Sequence, residues 1–155
     1  MIKHIKCDIF ESGADVILHQ VNCQGVMGSG VAKQVREKYP EVYEQYKILC
    51  DDVKNNPNKK LLGRRQFIEV SENKYIVNLF AQENYGYDGK CYTDYDALRE
   101  SLEDTKAFFK DSVIAFPYLM GCHRGGGDWN IVYKMIEEVF SDSDCEVLIC
   151  EYNGG

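Results

Sequence analysis

Apolar positions fall into short runs of strand type and longer stretches with helical spacing. Ile2–Lys6 reads as a short strand. Residues 14–21, Ala-Asp-Val-Ile-Leu-His-Gln-Val, read as a second, whose continuous apolar stretch suits a strand covered on both faces. After a glycine-rich turn, Gly30–Lys38 predicts a helix ended by Tyr39-Pro40. Residues 41–50 predict another, with Val42, Tyr46 and Leu49 on one face, so that the two helices form a tight corner. Residues 65–70 and 75–80 predict a strand pair joined by the polar turn Ser71-Glu72-Asn73, the antiparallel element common at the edge of mixed sheets. Thr93, with Asp96 three residues on, predicts a capping-box-like start to a long helix. Leu98, Leu102, Thr105 and Phe109 carry its inward stripe as far as Lys110. Val113–Pro117 reads as a buried strand, residues 129–140 as a helix with Val132, Ile136 and Val139 inward, and 146–150 as a final strand. Strands alternating with helices predict an α/β sandwich.

Composition narrows this to one domain over residues 1–155. The chain holds 155 residues with 45% hydrophobic and 28% charged, an ordinary globular balance that excludes collagen, coiled coil and disorder. The only linker-like stretch, 51–60, is too short to separate two domains. No apolar run approaches the roughly 20 residues needed to span a bilayer, and Met1 to Asp8 lacks the apolar core of a signal peptide, so no membrane association and a cytoplasmic location are expected. Seven cysteines at irregular spacing, with no Cys-x-x-Cys pair, argue against a disulfide framework and against a metal site. They read as reduced residues packed as small hydrophobes. With 18 basic and 25 acidic residues the net charge is −7, which argues against a broad duplex-binding surface. A local anion site made of backbone amides stays open.

Such a site is what two glycine-rich turns offer: residues 21–32, Val-Asn-Cys-Gln-Gly-Val-Met-Gly-Ser-Gly-Val-Ala, and 117–129, Pro-Tyr-Leu-Met-Gly-Cys-His-Arg-Gly-Gly-Gly-Asp-Trp. Each runs from the carboxyl end of a strand into a helix, where ligands lie in open α/β sheets. Glycines there let several N–H groups converge, and the helix N-terminus adds positive potential, so two such turns can hold a diphosphate; alternatively, the glycines only make tight turns. No Gly-Lys-Ser/Thr follows, which argues against ordinary nucleotide hydrolysis.

The two turns, together with Lys6-Cys7-Asp8-Ile9-Phe10, resemble those of the macrodomain family, the ADP-ribose-binding module, over nearly the whole chain. Gly-Val-Met-Gly-Ser-Gly-Val-Ala is most similar to the branch holding terminal ADP-ribose protein glycohydrolase, the DNA-directed antitoxin macrodomain and the ADP-ribose 1″-phosphate phosphatases. The resemblance implies a three-layer α/β/α sandwich with a mixed, mostly parallel sheet. It places Asp8 and Ile9 on the adenine and Tyr152 over its ring, Asn22 at the distal ribose, Gly28, Ser29, Gly30 and Val31 on one phosphate, and the loop Gly121, Cys122, His123, Arg124, Gly125 and Gly126 on the other. Asp8 could instead cap the next turn, Tyr152 cover the core, and Asn22 fix its own loop.

The chain departs from the branch at three positions. A lysine of the glycohydrolases falls at Gln82, an acidic residue of their second loop at Gly125, and an aspartate of the ester-cleaving branch at Ala32. Gln cannot form the covalent adduct that a Lys amine forms. His19, Asn22, Cys23, Gln82, Asn84, Tyr85, Lys90, His123, Arg124 and Asp128 remain as polar groups near such a pocket. His123, with Asn22 and Gln82, is the candidate for chemistry, since imidazole titrates near about 6.5. Arg124 beside it can fork a terminal phosphate. Asp128 before Trp129 reads as a helix cap and His19 as a core histidine. Residues 82–92, with three tyrosines, read as a flap in which Tyr85 contacts substrate and Lys90 replaces the missing lysine if the loop folds back; the tyrosines could also only hold the loop down. The expected function is binding of ADP-ribose or a derivative, free or attached to protein or nucleic acid, with hydrolysis of ADP-ribose 1″-phosphate or removal of ADP-ribose from a macromolecule. No cofactor is expected, and a monomer is. A non-catalytic ADP-ribose reader is the alternative, and single-stranded nucleic-acid binding through the tyrosine loop a third.

Overall fold

The computed structural model describes residues 1–152. Strands β1 (Ile2–Lys6), β2 (Val16–Asn22), β3 (Arg65–Ser71), β4 (Lys74–Gln82), β5 (Val113–Pro117) and β6 (Glu146–Glu151) form one sheet in the order β1-β6-β5-β2-β4-β3. Every pairing is parallel except β3 with β4. Helices α1 (Gly30–Lys38) and α2 (Pro40–Lys54) cover one face, and α3 (Tyr95–Phe108) and α4 (Trp129–Val139) the other. The mixed three-layer sandwich expected from the sequence is therefore observed.

Alternation along β2 builds both layers at once. Val16 and Leu18 pack with Leu98, Leu102, Val132 and Ile136 beneath α3 and α4, whereas Ile17 joins Val35 and Val42 beneath α1 and α2. All three strand residues are essentially inaccessible, as the continuous apolar run implies. Tyr39 caps the end of α1 and the start of α2, and Pro40 at the first turn lets α2 begin without a lost amide bond, which makes the tight corner. From there α2 runs on to Lys54, four residues past the apolar pattern.

One boundary differs for a reason that bears on the site. Asp94, not Thr93, caps α3, its carboxylate accepting from the Ala97 amide at 3.0 Å. Thr93 is drawn out of the helix by tertiary bonds: it bridges to Gln82, its amide donates to the Gly125 carbonyl and its hydroxyl to the Gly121 carbonyl.

Candidate functional site

The chain leaves β2 for α1 on one face and β5 for α4 on the other, and β2 and β5 are neighbours. This is a switch point, where two connections diverge and leave a crevice at the carboxyl ends of the strands. The ladder itself opens it: β2 and β5 pair only at Val16–Ile114 and Ile17–Ala115, so the rest of β2 borders a cavity of about 450 Å³.

The first wall is the loop from Asn22 to Ser29. Its shape is set by Asn22, whose Oδ1 accepts from the Gln24 amide (3.0 Å) and the Tyr46 hydroxyl (2.7 Å) while Nδ2 donates to the Val26 carbonyl (2.9 Å). Tyr46, wholly buried on α2, also donates to the Asn22 carbonyl at 2.8 Å. Burial pushes its phenol well above the ordinary tyrosine range, so it stays a donor. Ser29 occupies the N-cap of α1 without its hydroxyl bonding the first turn, so the opening amides of that helix face the cavity uncapped beside Gly28, Gly30 and Val31.

The second wall, residues 117–128, is packed onto the chain that precedes α3. The Tyr92 and Thr93 amides both donate to the Gly125 carbonyl, and Gln20 Nε2 donates to Thr93 Oγ1 and Gln82 Oε1, each at 2.8 Å. A Cβ at Gly125 would stand 2.6 Å from the Gly121 carbonyl and from Thr93 Oγ1. The acidic residue of the glycohydrolase branch thus has no room at this position. Among the described residues, the amides of Gly121, His123, Arg124 and Gly125 carry no hydrogen bond. Asp128 caps α4 through the Asn130 amide at 2.9 Å, as its position before Trp129 implies.

Tyr85, Gly86 and Tyr87 line the cavity from the flap, and the Arg124 guanidinium lies 4.2 Å from the Tyr87 ring centre, joining flap to second loop. His123 is exposed at the rim, lining the same cavity. Two members of the proposed chemical set are otherwise engaged. Asn22 fixes its loop as described, and Gln82 is held at both ends, accepting from Gln20 and donating to the Asn84 carbonyl at 2.9 Å. Lys90 does not fold back: its ammonium is exposed, pairs with Asp88 and is not part of the cavity wall. Nor do Asp8, Ile9, Cys122, Gly126 or Tyr152 line it. Asp8 and Tyr152 follow β1 and β6 at the same edge of the sheet, and Asp8 Oδ1 caps the turn Ile9–Glu11 by accepting from the Phe10 amide. Burial raises the Cys122 thiol to about 11 and the Cys23 thiol further still, which leaves neither a nucleophile. Asn84 is an exposed flap residue that contributes its carbonyl. His19 is a core histidine as read, but it also reaches the cavity; burial lowers its imidazole to about 4, against the pull of its bond to Asn78. Sequence reasoning overlooked Gln20 and Tyr46 as site residues. A Gln in an otherwise apolar strand was the available signal for the first, whereas Tyr46 looks like any core residue of an amphipathic helix.

No protein-family model matches the chain. An ADP-ribose 1″-phosphate phosphatase of Scheffersomyces stipitis is 36% identical over 120 residues, covering 67% of this chain and 69% of that protein. A DNA ADP-ribosyl glycohydrolase of Mycobacterium tuberculosis is 26% identical over 163 residues, covering 100% of this chain and 43% of that protein, so the chain spans less than half the length of this relative. Among solved structures, the macrodomain of Mycobacterium tuberculosis DarG has a TM-score of 0.80 at 22% identity, covering 100% of this chain and 99% of that one, a likeness of fold. Among the described residues no helix is long and apolar enough to cross a membrane, and no three His, Cys, Asp or Glu side chains cluster as metal ligands.

Proposed function

The chain belongs to the macrodomain family, and from that premise we propose that its cavity binds ADP-ribose or a derivative and hydrolyses ADP-ribose 1″-phosphate to ADP-ribose and inorganic phosphate. One observation carries the reading: an uncapped helix N-terminus on the first wall faces unbonded amides of the second across a single cavity. Two donor sets on opposite walls suit two linked phosphates. Adenine extends past the cavity toward Asp8, whose second carboxylate oxygen accepts from the 6-amino group while the first keeps its capping bond, and Tyr152 covers the base. The 1″-phosphate lies at the rim, where Arg124 forks its oxygens and His123 takes the proton of the attacking water. The water oxygen bonds phosphorus, the bond from phosphorus to the ribose oxygen breaks, that oxygen takes a proton from solvent as it leaves, and His123 then gives its proton back to solvent. The glycohydrolase relatives favour the same pocket for an ADP-ribose group carried on nucleic acid or protein. The protein acts as a monomer in the cytoplasm, where its seven free thiols stay reduced.

A second reading, a reader without turnover, is favoured by the engagement of Asn22 and Gln82, which leaves neither side chain free to act on a substrate. Calorimetric titration with ADP-ribose, against ADP, AMP and NAD, tests the shared premise; selective micromolar binding is expected, and its absence overturns both readings. Phosphate release from ADP-ribose 1″-phosphate then separates them. His123→Ala is expected to lower turnover about 100-fold with affinity retained. Binding without turnover, there or on ADP-ribosylated DNA and protein, establishes the reader.

A further inference from the structure

Arg124 is an exposed cation at the cavity rim that no carboxylate neutralises. Among the described residues it makes no ion pair, although the chain carries 25 acidic side chains. Its contact is with a ring: the guanidinium carbon lies 4.2 Å from the ring centre of Tyr87, a flap residue that is 67% exposed. The acid next to Tyr87 in sequence is spent elsewhere. Asp88 Oδ1 accepts from the Tyr92 hydroxyl at 2.9 Å and from the Lys90 amide at 3.2 Å, and Oδ2 lies 3.7 Å from the Lys90 ammonium. A carboxylate and a ring hold a guanidinium differently. A carboxylate takes its N–H edge and cancels its charge, whereas an aromatic face takes its flat side and leaves both the donors and the charge available. Arg124 is therefore held with its donors uncommitted to any acid.

The flap fixes the ring. At its start the Glu83 carbonyl accepts from the Cys23 amide at 3.1 Å and from Gln24 Nε2 at 3.0 Å, which ties it to the first wall. At its end the Tyr92 amide donates to the Gly125 carbonyl at 2.7 Å, which ties it to the second. Between these ends Gly86 lies so close to Tyr92 that a Cβ on it would collide with the Tyr92 hydroxyl, the same hydroxyl that bonds Asp88. The turn that carries Tyr85, Gly86 and Tyr87 is thus braced from within, and Tyr87 meets Arg124 where both line the cavity.

We propose that Tyr87 is a positioning residue that presents the N–H edge of Arg124 to an anionic group on the ligand's distal ribose, so that the cavity favours a terminal phosphomonoester over the unphosphorylated sugar. The assignment deepens the ADP-ribose 1″-phosphate reading of the cavity and rests on it. A phosphomonoester brings up to two charges and three acceptor oxygens to the guanidinium fork, and a sugar hydroxyl in its place brings neither. Arg124 does the binding, and Tyr87 acts only through it. The ring restricts a long side chain before the ligand arrives, so less rotamer freedom is lost when the phosphate is bound.

The test uses the intact chain and two probes, ADP-ribose and its non-hydrolysable 1″-phosphonate, titrated by calorimetry, and reads the ratio of their affinities. The wild type is expected to prefer the phosphonate about tenfold or more, and Arg124→Gln to bring the ratio close to one. Tyr87→Leu, which keeps an apolar side chain without the aromatic face, is expected to lower the ratio about threefold. Tyr87→Phe keeps the face and is expected to retain the ratio. In the Arg124→Gln background Tyr87→Leu is expected to lower it no further, because the ring has no cation left to hold. Both side chains are exposed, so the variants are expected to fold as the wild type does. A wild-type ratio near one overturns the proposal, as does an Arg124→Gln variant that keeps the preference. So does a Tyr87→Leu variant that keeps the wild-type ratio or loses both probes equally, as a merely structural role gives, or a double variant in which the two losses add. Failure of ADP-ribose to bind the wild type at all is a different result and removes the function proposed above.

Discussion

The two glycine-rich loops do opposite work with the same residue. In the first, the two glycines nearest α1 face space: a Cβ at Gly30 would meet nothing within 4 Å, and one at Gly28 only a Val26 methyl at 3.7 Å, whereas one at Gly25, at the back of the loop, would meet the Lys47 side chain of α2 at 3.1 Å. The loop is braced from behind, by Asn22 and by Tyr46 reaching across from α2, and its front is left open with α1 uncapped. In the second, glycines face chain. Cβ atoms at Gly121 and Gly125 would press on Gln20 and Thr93, and one at Gly126 on the Lys90 carbonyl, while the helix beyond is capped by its own Asp128. Glycine in the first loop is therefore room for a ligand, and in the second it is mainly what lets the loop lie on the segment leading into α3. Among the described residues, only the amides of Gly121 and of His123 to Gly125 are left over for binding there.

The largest expected difference between the walls is in acid. His19 under the first wall is fully buried with its imidazole lowered from 6.5 to about 4, whereas His123 on the second is exposed. A depressed imidazole means that the unfolded chain takes up the proton first, so the stability due to the neutral ring is complete above pH 6.5 and is lost as pH falls toward 4. At the lower limit the loss reaches roughly 3 kcal/mol. Urea unfolding of wild type and His19→Phe at neutral and acid pH is expected to show the wild type losing about that much more than the variant. Parallel pH dependence of the two proteins would mean that the ring is not desolvated in the folded state, and the wall would lose its special character.

Next in size is a pair of alanine substitutions. Gly126 has φ +67°, and its Cβ would collide with the Lys90 carbonyl, so Gly126→Ala is expected to cost about 2 kcal/mol or more in denaturant unfolding. Gly28→Ala meets only ordinary contact and is expected to stay within about 0.5 kcal/mol of wild type. Similar losses at both positions would erase the distinction between an open loop and a packed one.

Much of this was legible from residue order, because local signals agree with the fold where they are strong. The run Val16-Ile17-Leu18 announced a strand buried on both faces, the two glycine stretches announced the loops, and Asp128 before Trp129 announced its cap. What was not legible depends on partners distant in sequence. Thr93 and Asp94 are equally good caps by composition, and only the bonds from Thr93 to Gly121 and Gly125 decide between them. Gln82 reads as a free polar group, and Asn22 as either a ribose contact or a brace of its own loop; it takes Tyr46, Gln20 and the Asn84 carbonyl, placed by tertiary structure, to occupy them. The cavity itself exists because the β2–β5 ladder stops after two pairs, a register fact that periodicity does not encode.

The smallest effect asks whether bracing and binding are linked. Tyr46→Phe keeps the ring and its stacking on Phe80, at 5.8 Å between centres, and removes only the hydroxyl that holds the Asn22 carbonyl and side chain. Asn22 Oδ1 retains the Gln24 amide, so the loss is one buried donor, about 1 kcal/mol of stability. Asp128→Ala on the other side removes the α4 cap at a similar cost of about 1 kcal/mol. If the first loop must be held open for the ligand and the second holds itself by packing, equal losses of stability have unequal consequences. Affinity for ADP-ribose, measured by calorimetry, is expected to fall up to about fivefold in Tyr46→Phe and to stay at the wild-type value in Asp128→Ala. An equal fall in both variants would make affinity track global stability, and bracing of the first loop would then carry no separate weight in binding.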